Sequence, residues 1–247
     1  MSREPKPRYL AAARELLDRL ESQSEHVEAA SHLCADAIAA GGLVHCFGTG
    51  HSRIPVEELF PRYGSYPGFN PIVELSMTFH TQVVGANGQR QAMFIERMEG
   101  LAERILANFD LAPPDVMMVF SAGGRTAVPI EMALGARTRG LKVVAVTSRG
   151  APLAEHADVV LELCTPPADA LVELDGLETP VGPGSTIAAV TLVNAVKVRT
   201  AELLLARGAL PPVLTSSAVV GAEESKRLFD AAYAEHARRL AKALEKG

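Results

Sequence analysis

Residues 44–64 read VHCFGTGHSRIPVEELFPRYG. The apolar run LVHCF (43–47) does not alternate with polar residues, so it reads as a strand covered on both faces. Gly48-Thr49-Gly50-His51-Ser52 then turns the chain, and a helical pattern begins at about residue 53. A buried strand, a glycine-rich turn and a helix make one unit of a parallel α/β sheet. The unit recurs. PIVEL (71–75), DVMMVF (115–120), KVVAVT (142–147) and DVVLELC (158–164) are the further expected strands. Helices are expected at about 53–63, 92–109, 126–139 and 185–207. The fold class that follows is α/β, a doubly wound, mostly parallel five-stranded sheet.

The flanks are helical. Leu10, Ala13, Leu17 and Leu20, then Val27, Ala30, Leu33-Cys34 and Ala37-Ile38, follow helical spacing in one long or two abutting helices, which Gly41-Gly42 ends. Phe229, Tyr233, Leu240 and Leu244 make 222–246 an amphipathic helix. One domain over 1–247 is expected, with a core at about 41–207 and helical extensions at 8–40 and 222–246. The Pro- and Gly-rich stretch 165–184 is the longest non-periodic connection, of the kind that often carries function.

Bulk properties exclude several classes. A net charge of −5 lacks the basic footprint that nucleic acid requires, so no nucleic-acid partner is expected. No apolar run reaches the roughly 18 residues that would span a bilayer, so no membrane partner is expected. The N-terminus MSREPKPRYL has no apolar signal core. Cys34, Cys46 and Cys164 lack metal or redox spacing and read as reduced, packed thiols, which makes the expected location cytoplasmic.

Ligands of open parallel sheets bind beyond the carboxyl ends of the strands. Two such ends carry unusual loops, Gly48–Ser52 and Ser121-Ala122-Gly123-Gly124-Arg125-Thr126. Each offers glycines for close approach, hydroxyl donors and a helix N-terminus that favours an anion. A loop of this kind alone is more often just a tight connection; the two together, on neighbouring strands, point to a phosphate or similar anion. Arg53 replaces the third glycine of a dinucleotide fingerprint, and no Gly-Lys-Ser/Thr of a P-loop occurs. A short sugar phosphate fits better than a nucleotide.

GTGHS (48–52), SAGGRT (121–126), VVAVTS (143–148) and APLAEHADVVL (151–161), in that order, resemble the sugar isomerase (SIS) domain family. The resemblance covers about residues 10–205 and implies the flavodoxin-like SIS fold and a phosphorylated sugar as ligand. Gly123 and Ala151 depart from the pattern, each standing where the family has Ser. Gly48, Thr49, Gly50, Ser52, Ser121, Gly123, Gly124, Arg125 and Thr126 are the implied phosphate-binding positions.

EELFPR (57–62) is similar to the E-E-L-x-x-R of phosphoheptose isomerases. That match implies Glu58 as the proton-transferring carboxylate, its pKa raised in a shielded cleft, and Arg62 as a substrate contact. Early in a helix, Glu57 and Glu58 also simply complement its dipole. The family's zinc-binding histidines fall on Ile54 and Asn194, so neither zinc nor another cofactor is expected. Ser185, a natural N-cap, with Thr186 and Asn194 are candidate sugar contacts, and capping or core packing is the alternative for each. His51 could act as acid or base. His80 is expected in a cleft-lining loop, and His45 as a hydrogen-bonded core residue. The resemblance thus implies an aldose–ketose isomerase acting on a sugar phosphate. An etherase of the N-acetylmuramic acid 6-phosphate type and a non-catalytic sensor are the alternatives, and a homodimer or homotetramer with shared clefts is the expected assembly.

Overall fold

The computed structural model of the protein describes residues 8–78 and 88–245; His80 lies outside them. Five strands, β1 (Val44–Gly48), β2 (Phe69–Pro71), β3 (Val116–Ser121), β4 (Lys142–Thr147) and β5 (Val159–Glu162), form one sheet in the order β2-β1-β3-β4-β5. Every pairing in it is parallel. The order 2-1-3-4-5 is that of flavodoxin-like folds.

Continuous apolar strands arise because alternate residues serve two cores. Val116, Met118 and Phe120 of β3 face Leu16, Cys34, Ile38, Leu192 and Val196 from helices α1 (Arg8–Glu21), α2 (Ser24–Ala39) and α8 (Ser185–Ala206). Met117 and Val119 face the other way, onto Leu106 of α6 (Leu101–Leu106) and Val128 and Met132 of α7 (Ala127–Thr138). Each such buried side chain contributes about 1.5–3 kcal/mol.

Three elements depart from the sequence reading. The second strand is Phe69–Pro71, not 71–75. Ile72 still donates its N–H to Cys46 O, but the Glu74 carboxylate then accepts from Ser76 Oγ and Met77 N and bends the chain into the single turn α4 (Leu75–Thr78). The helix expected over 92–109 is two, α5 (Gly88–Ile95) and α6, broken at Gly100. That glycine has φ 78°, and its N–H is taken by Glu131 of α7. The connection 165–184 contains a hairpin, β6 (Ala170–Val172) paired antiparallel with β7 (Val181–Pro183). The Tyr9 hydroxyl of α1 donates to its Pro183 O at 2.7 Å.

The N-terminal stretch resolves into two abutting helices, and Gln23 between them acts as an extra rung on the sheet edge. Its Nε2 donates to Glu162 O and its Oε1 accepts from Glu162 N, both at 2.7 Å. Gln23 is buried, so Gln23→Ala orphans both backbone groups of Glu162. The expected loss is about 1–3 kcal/mol of stability, read as a lower urea midpoint at unchanged slope.

At the opposite end, α9 (Ser217–Val220) leads into α10 (Ala222–Leu244). Arg239 of α10 donates to Ile38 O and Gly42 O, satisfying carbonyls at the end of α2. His45 is a buried, hydrogen-bonded residue of β1, its Nε2 on Asp115 and its Nδ1 on Asn70. The described helices include none long and apolar enough to cross a membrane.

The His236 ring of α10 packs against Phe60, ring centroids 4.8 Å apart and planes tilted by 37°. Burial first, and the Arg239 charge second, push its pKa below the ordinary 6.5. A neutral imidazole favoured by the fold contributes stability that is complete above pH 6.5 and is lost as pH falls through its folded value. Urea midpoints should therefore fall from pH 7.5 to 5.5, and His236→Phe, which keeps an aromatic ring against Phe60, should fall less steeply. Parallel curves for the two proteins would show that the imidazole carries none of this slope.

Candidate functional site

β1 and β3 are neighbours, with Gly48 opposite Phe120, so their carboxyl ends open on one place. A cavity of about 220 Å³ lies there, where three segments meet. The first is the loop after β1. It tightens into a single 3-10 turn at Gly50–Arg53, and Ser52 N donates to Thr49 O. The fold-back is so close that a Cβ on Gly48 would stand 2.3 Å from Ser52 O.

The second is the loop after β3. Ser121 Oγ accepts from Gly124 N at 3.1 Å, which leaves the hydroxyl proton free to donate elsewhere. Ser148, at the end of the VVAVTS stretch, donates to Ala122 O through Oγ and N, and Leu153 N donates to Gly124 O. Gly124 has φ 56°, with Thr147 and Ala151 directly against it. The four stretches that carry the family resemblance are thus one construction, with β4 and the Pro152–His156 turn buttressing the β3 loop.

The third is the start of α8. Ser185, expected as N-cap, is instead capped: Asp169 Oδ1 accepts from its N–H at 2.7 Å and Oδ2 from its hydroxyl at 2.6 Å. Asp169 holds φ 59°, a left-handed conformation that Asp tolerates better than most residues.

Among the expected site residues, Thr49, Gly50, His51 and Ser52 line the cavity from the first loop, and Ser121 and Gly123 from the second. Ser185 and Thr186 line it from α8. Gly48 and Gly124 are buried and shape the loops from beneath. Arg125 is exposed and Thr126 occupies the N-cap position of α7; neither belongs to the cavity wall.

Glu58, Arg62 and Asn194 also lie outside that wall, grouped along the seam between α3 (Ile54–Leu59) and α8. Asn194 Nδ2 donates to Glu58 Oε1 at 3.0 Å, Arg62 pairs with Glu58 Oε2, and Lys197 Nζ donates to Glu58 O at 3.1 Å. Burial pushes the Glu58 pKa up, but Asn194, Arg62 and Lys197 outweigh it and hold the carboxylate below its ordinary value. The raised pKa expected of a proton-transferring base is not what this cluster produces. Among the described residues no group of three or more His, Cys, Asp or Glu is gathered to hold a metal.

Among the described residues, the carboxylates that line the cavity are Glu96 and Asp169, neither singled out in the sequence. Glu96 follows α5, and Thr49 Oγ1 donates to its Oε2 at 2.6 Å. Its backbone O accepts from Val128 N at the start of α7, which fixes the residue between both loops.

An open parallel sheet of this order, with glycine-rich loops and the start of α8 around a cavity at its switch point, defines a flavodoxin-like α/β protein. The chain belongs to the SIS domain family, whose model matches residues 8–148. It is 33% identical to a UPF0309 protein of Streptomyces avermitilis over 231 residues, covering 87% of this chain and 90% of that one. A UPF0309 protein of Geobacillus kaustophilus is 31% identical over 228 residues, covering 87% and 88%. Among solved structures, a phosphoheptose isomerase from Francisella tularensis shares the fold with TM-score 0.53 at 14% identity, covering 78% of this chain and 95% of that one. The phosphoheptose isomerase of Neisseria gonorrhoeae does so with TM-score 0.52 at 18% identity, covering 77% and 94%.

Proposed function

We propose that the protein binds a phosphorylated sugar in this cavity and interconverts its aldose and ketose forms. The observation that carries the reading is the convergence of the Gly48–Ser52 loop, the Ser121–Gly123 loop and the start of α8 on one cavity at the ends of adjacent parallel strands. The phosphate sits against the second loop. Ser121 donates its free hydroxyl proton there, Ser52 faces it from the first loop, and the N-terminus of α7 contributes its dipole.

Isomerisation needs a base that removes the proton from the carbon beside the carbonyl and returns it to the former carbonyl carbon. Glu96 is placed for this, because Thr49 fixes one carboxylate oxygen and the other accepts from no described residue. His51, on the same wall, moves the proton between the two substrate oxygens.

A thermal-shift panel of five- to seven-carbon sugar phosphates, with inorganic phosphate and unphosphorylated sugars as controls, tests the reading. A ligand at a hundredfold excess over its Kd adds about 2.7 kcal/mol of stability and raises Tm accordingly. A binding sugar phosphate should then exchange one carbon-bound hydrogen with D2O in the presence of the enzyme. No shift with any sugar phosphate would overturn the binding reading; a shift without exchange or turnover would overturn the isomerase.

A further inference from the structure

We propose that the outer face of α8 is where a second copy of this chain docks, the two α8 helices packing antiparallel about a two-fold axis. The inference does not depend on what the cavity binds. A helix on a protein surface turns its charges outward, and α8 does the reverse. Its sequence holds three charges, Lys197, Arg199 and Glu202. Lys197 is buried against α3 with its Nζ on Glu58 O, and Arg199 reaches back to Glu28 of α2 at 2.6 Å. Ala189, Val193, Val196 and Leu204 already fill the core on the inner side. The outer side carries Ile187, Thr191, Ala195, Val198, Glu202 and Leu205, none of them buried. Val198 is 58% exposed and Leu205 68%. Glu202 is the one charge in that row.

From Thr191 to Leu205 these residues fall at alternating spacings of four and three, the repeat of a helix–helix seam. Beside the row lies a groove of about 410 Å³ lined by Leu17, Leu20, Val27, Thr191, Leu192 and Ala195. Leu10, two turns before Leu17 on the same side of α1, is exposed as well. A seam with an open groove along its edge suits a second helix better than it suits water.

The row complements itself in one direction only. Parallel helices would set Glu202 against Glu202, an unfavourable like-charge contact. In the antiparallel arrangement, with the axis crossing the helix between Ala195 and Val198, Val198 of each copy meets Ala195 of the other. A large side chain then enters the groove beside a small one. Leu205 comes over Ile187, and Glu202 comes over Thr191, whose hydroxyl offers its carboxylate a donor. Each contact occurs twice, once on either side of the axis, which is the isologous geometry of a closed dimer.

The experiment is sedimentation velocity on the full chain, with Val198→Arg and Leu205→Glu as variants. At about 50 μM, above the micromolar limit usual for a standard-size interface, the parent should sediment as a dimer of the 26.2 kDa chain, or as an assembly of such dimers. Val198→Arg puts an unpaired charge at the centre of the seam and should raise the dissociation constant by about 100-fold or more. Val198 and Leu205 are exposed in the single chain, so both variants should keep the parent's circular dichroism. Should Val198→Arg not fold, Leu205→Glu at the end of the seam decides the same point. The pairing itself is read by cross-linking. A chain carrying both Ala195→Cys and Val198→Cys should form disulfide-linked dimers on mild oxidation, and the parent should not. A parent that is monomeric at every concentration, or an oligomer that the folded variants leave intact, would overturn the proposal. Dissociation by the variants without cross-linking of the cysteine pair would overturn the antiparallel pairing.

Discussion

Glu96→Gln is expected to lower turnover of the sugar phosphate by about 10²–10⁴-fold, the usual contribution of a positioned general base. Glutamine keeps the shape and can still accept the Thr49 hydroxyl, but it cannot take a proton from carbon. The loss should therefore appear in kcat and in the rate of solvent exchange, while the Kd of the substrate changes by only a few-fold. Glu58→Gln is the necessary comparison. Glu58 is bound to Asn194 and Arg62 outside the cavity wall, and its pKa is held low, so that variant should keep most of the activity. It should instead lose stability, because Asn194, Arg62 and Lys197 are organised around Glu58. If Glu58→Gln abolished exchange and Glu96→Gln did not, the two assignments would have to be interchanged.

The different places of Glu58 and Glu96 relative to the cavity show where a sequence stops being informative. Four of the five strands could be read directly because a strand buried on both faces is apolar along its length, as Val116–Phe120 is. The glycine loops could be read because close backbone approach leaves a local trace. Glu96 left no such trace. It lies 47 positions from Thr49, and its place in the cleft follows from a break at Gly100 and a bond to Val128 N that no periodicity encodes. Asp169 is similar: the long connection 165–184 marked its neighbourhood, but its hold on Ser185 depends on a hairpin whose strands are three residues each. The misplaced second strand has the same origin. PIVEL looks like a strand by composition, yet Glu74 finds local partners in Ser76 and Met77 and draws the chain out of the sheet. The EELFPR match, by contrast, was specific in its letters and led outside the cavity wall, because family letters fix a residue's position along the chain and not the partners it meets there.

Adjacent glycines of the loop after β3 should respond to substitution in opposite ways. Gly124→Ala is expected to destabilise the protein by about 2–4 kcal/mol, from a left-handed backbone that disfavours a Cβ and from overlap with a packed wall. The backbone has φ 56°, and the new Cβ would stand 2.5 Å from Thr147 Oγ1 and 2.7 Å from Ala151 Cβ. Neither neighbour can yield easily, because both are buried and Ala151 has no length to move. Relief must come from the loop itself, which would pull Ser121 and Gly123 off the cavity wall and weaken sugar-phosphate binding along with stability. A Cβ on Gly123 would meet no described atom within 4 Å, and its backbone has no positive φ. Gly123→Ser, which supplies the hydroxyl that the family pattern has at this place, should keep stability within about 0.5 kcal/mol. Gly123 lines the cavity, so sugar-phosphate affinity should be equal or tighter. Urea melts and titrations on the two variants separate the cases. A Gly124→Ala protein as stable as the parent would mean the loop is looser than its contacts imply, and a Gly123→Ser protein that folds but no longer binds would place the phosphate away from this loop.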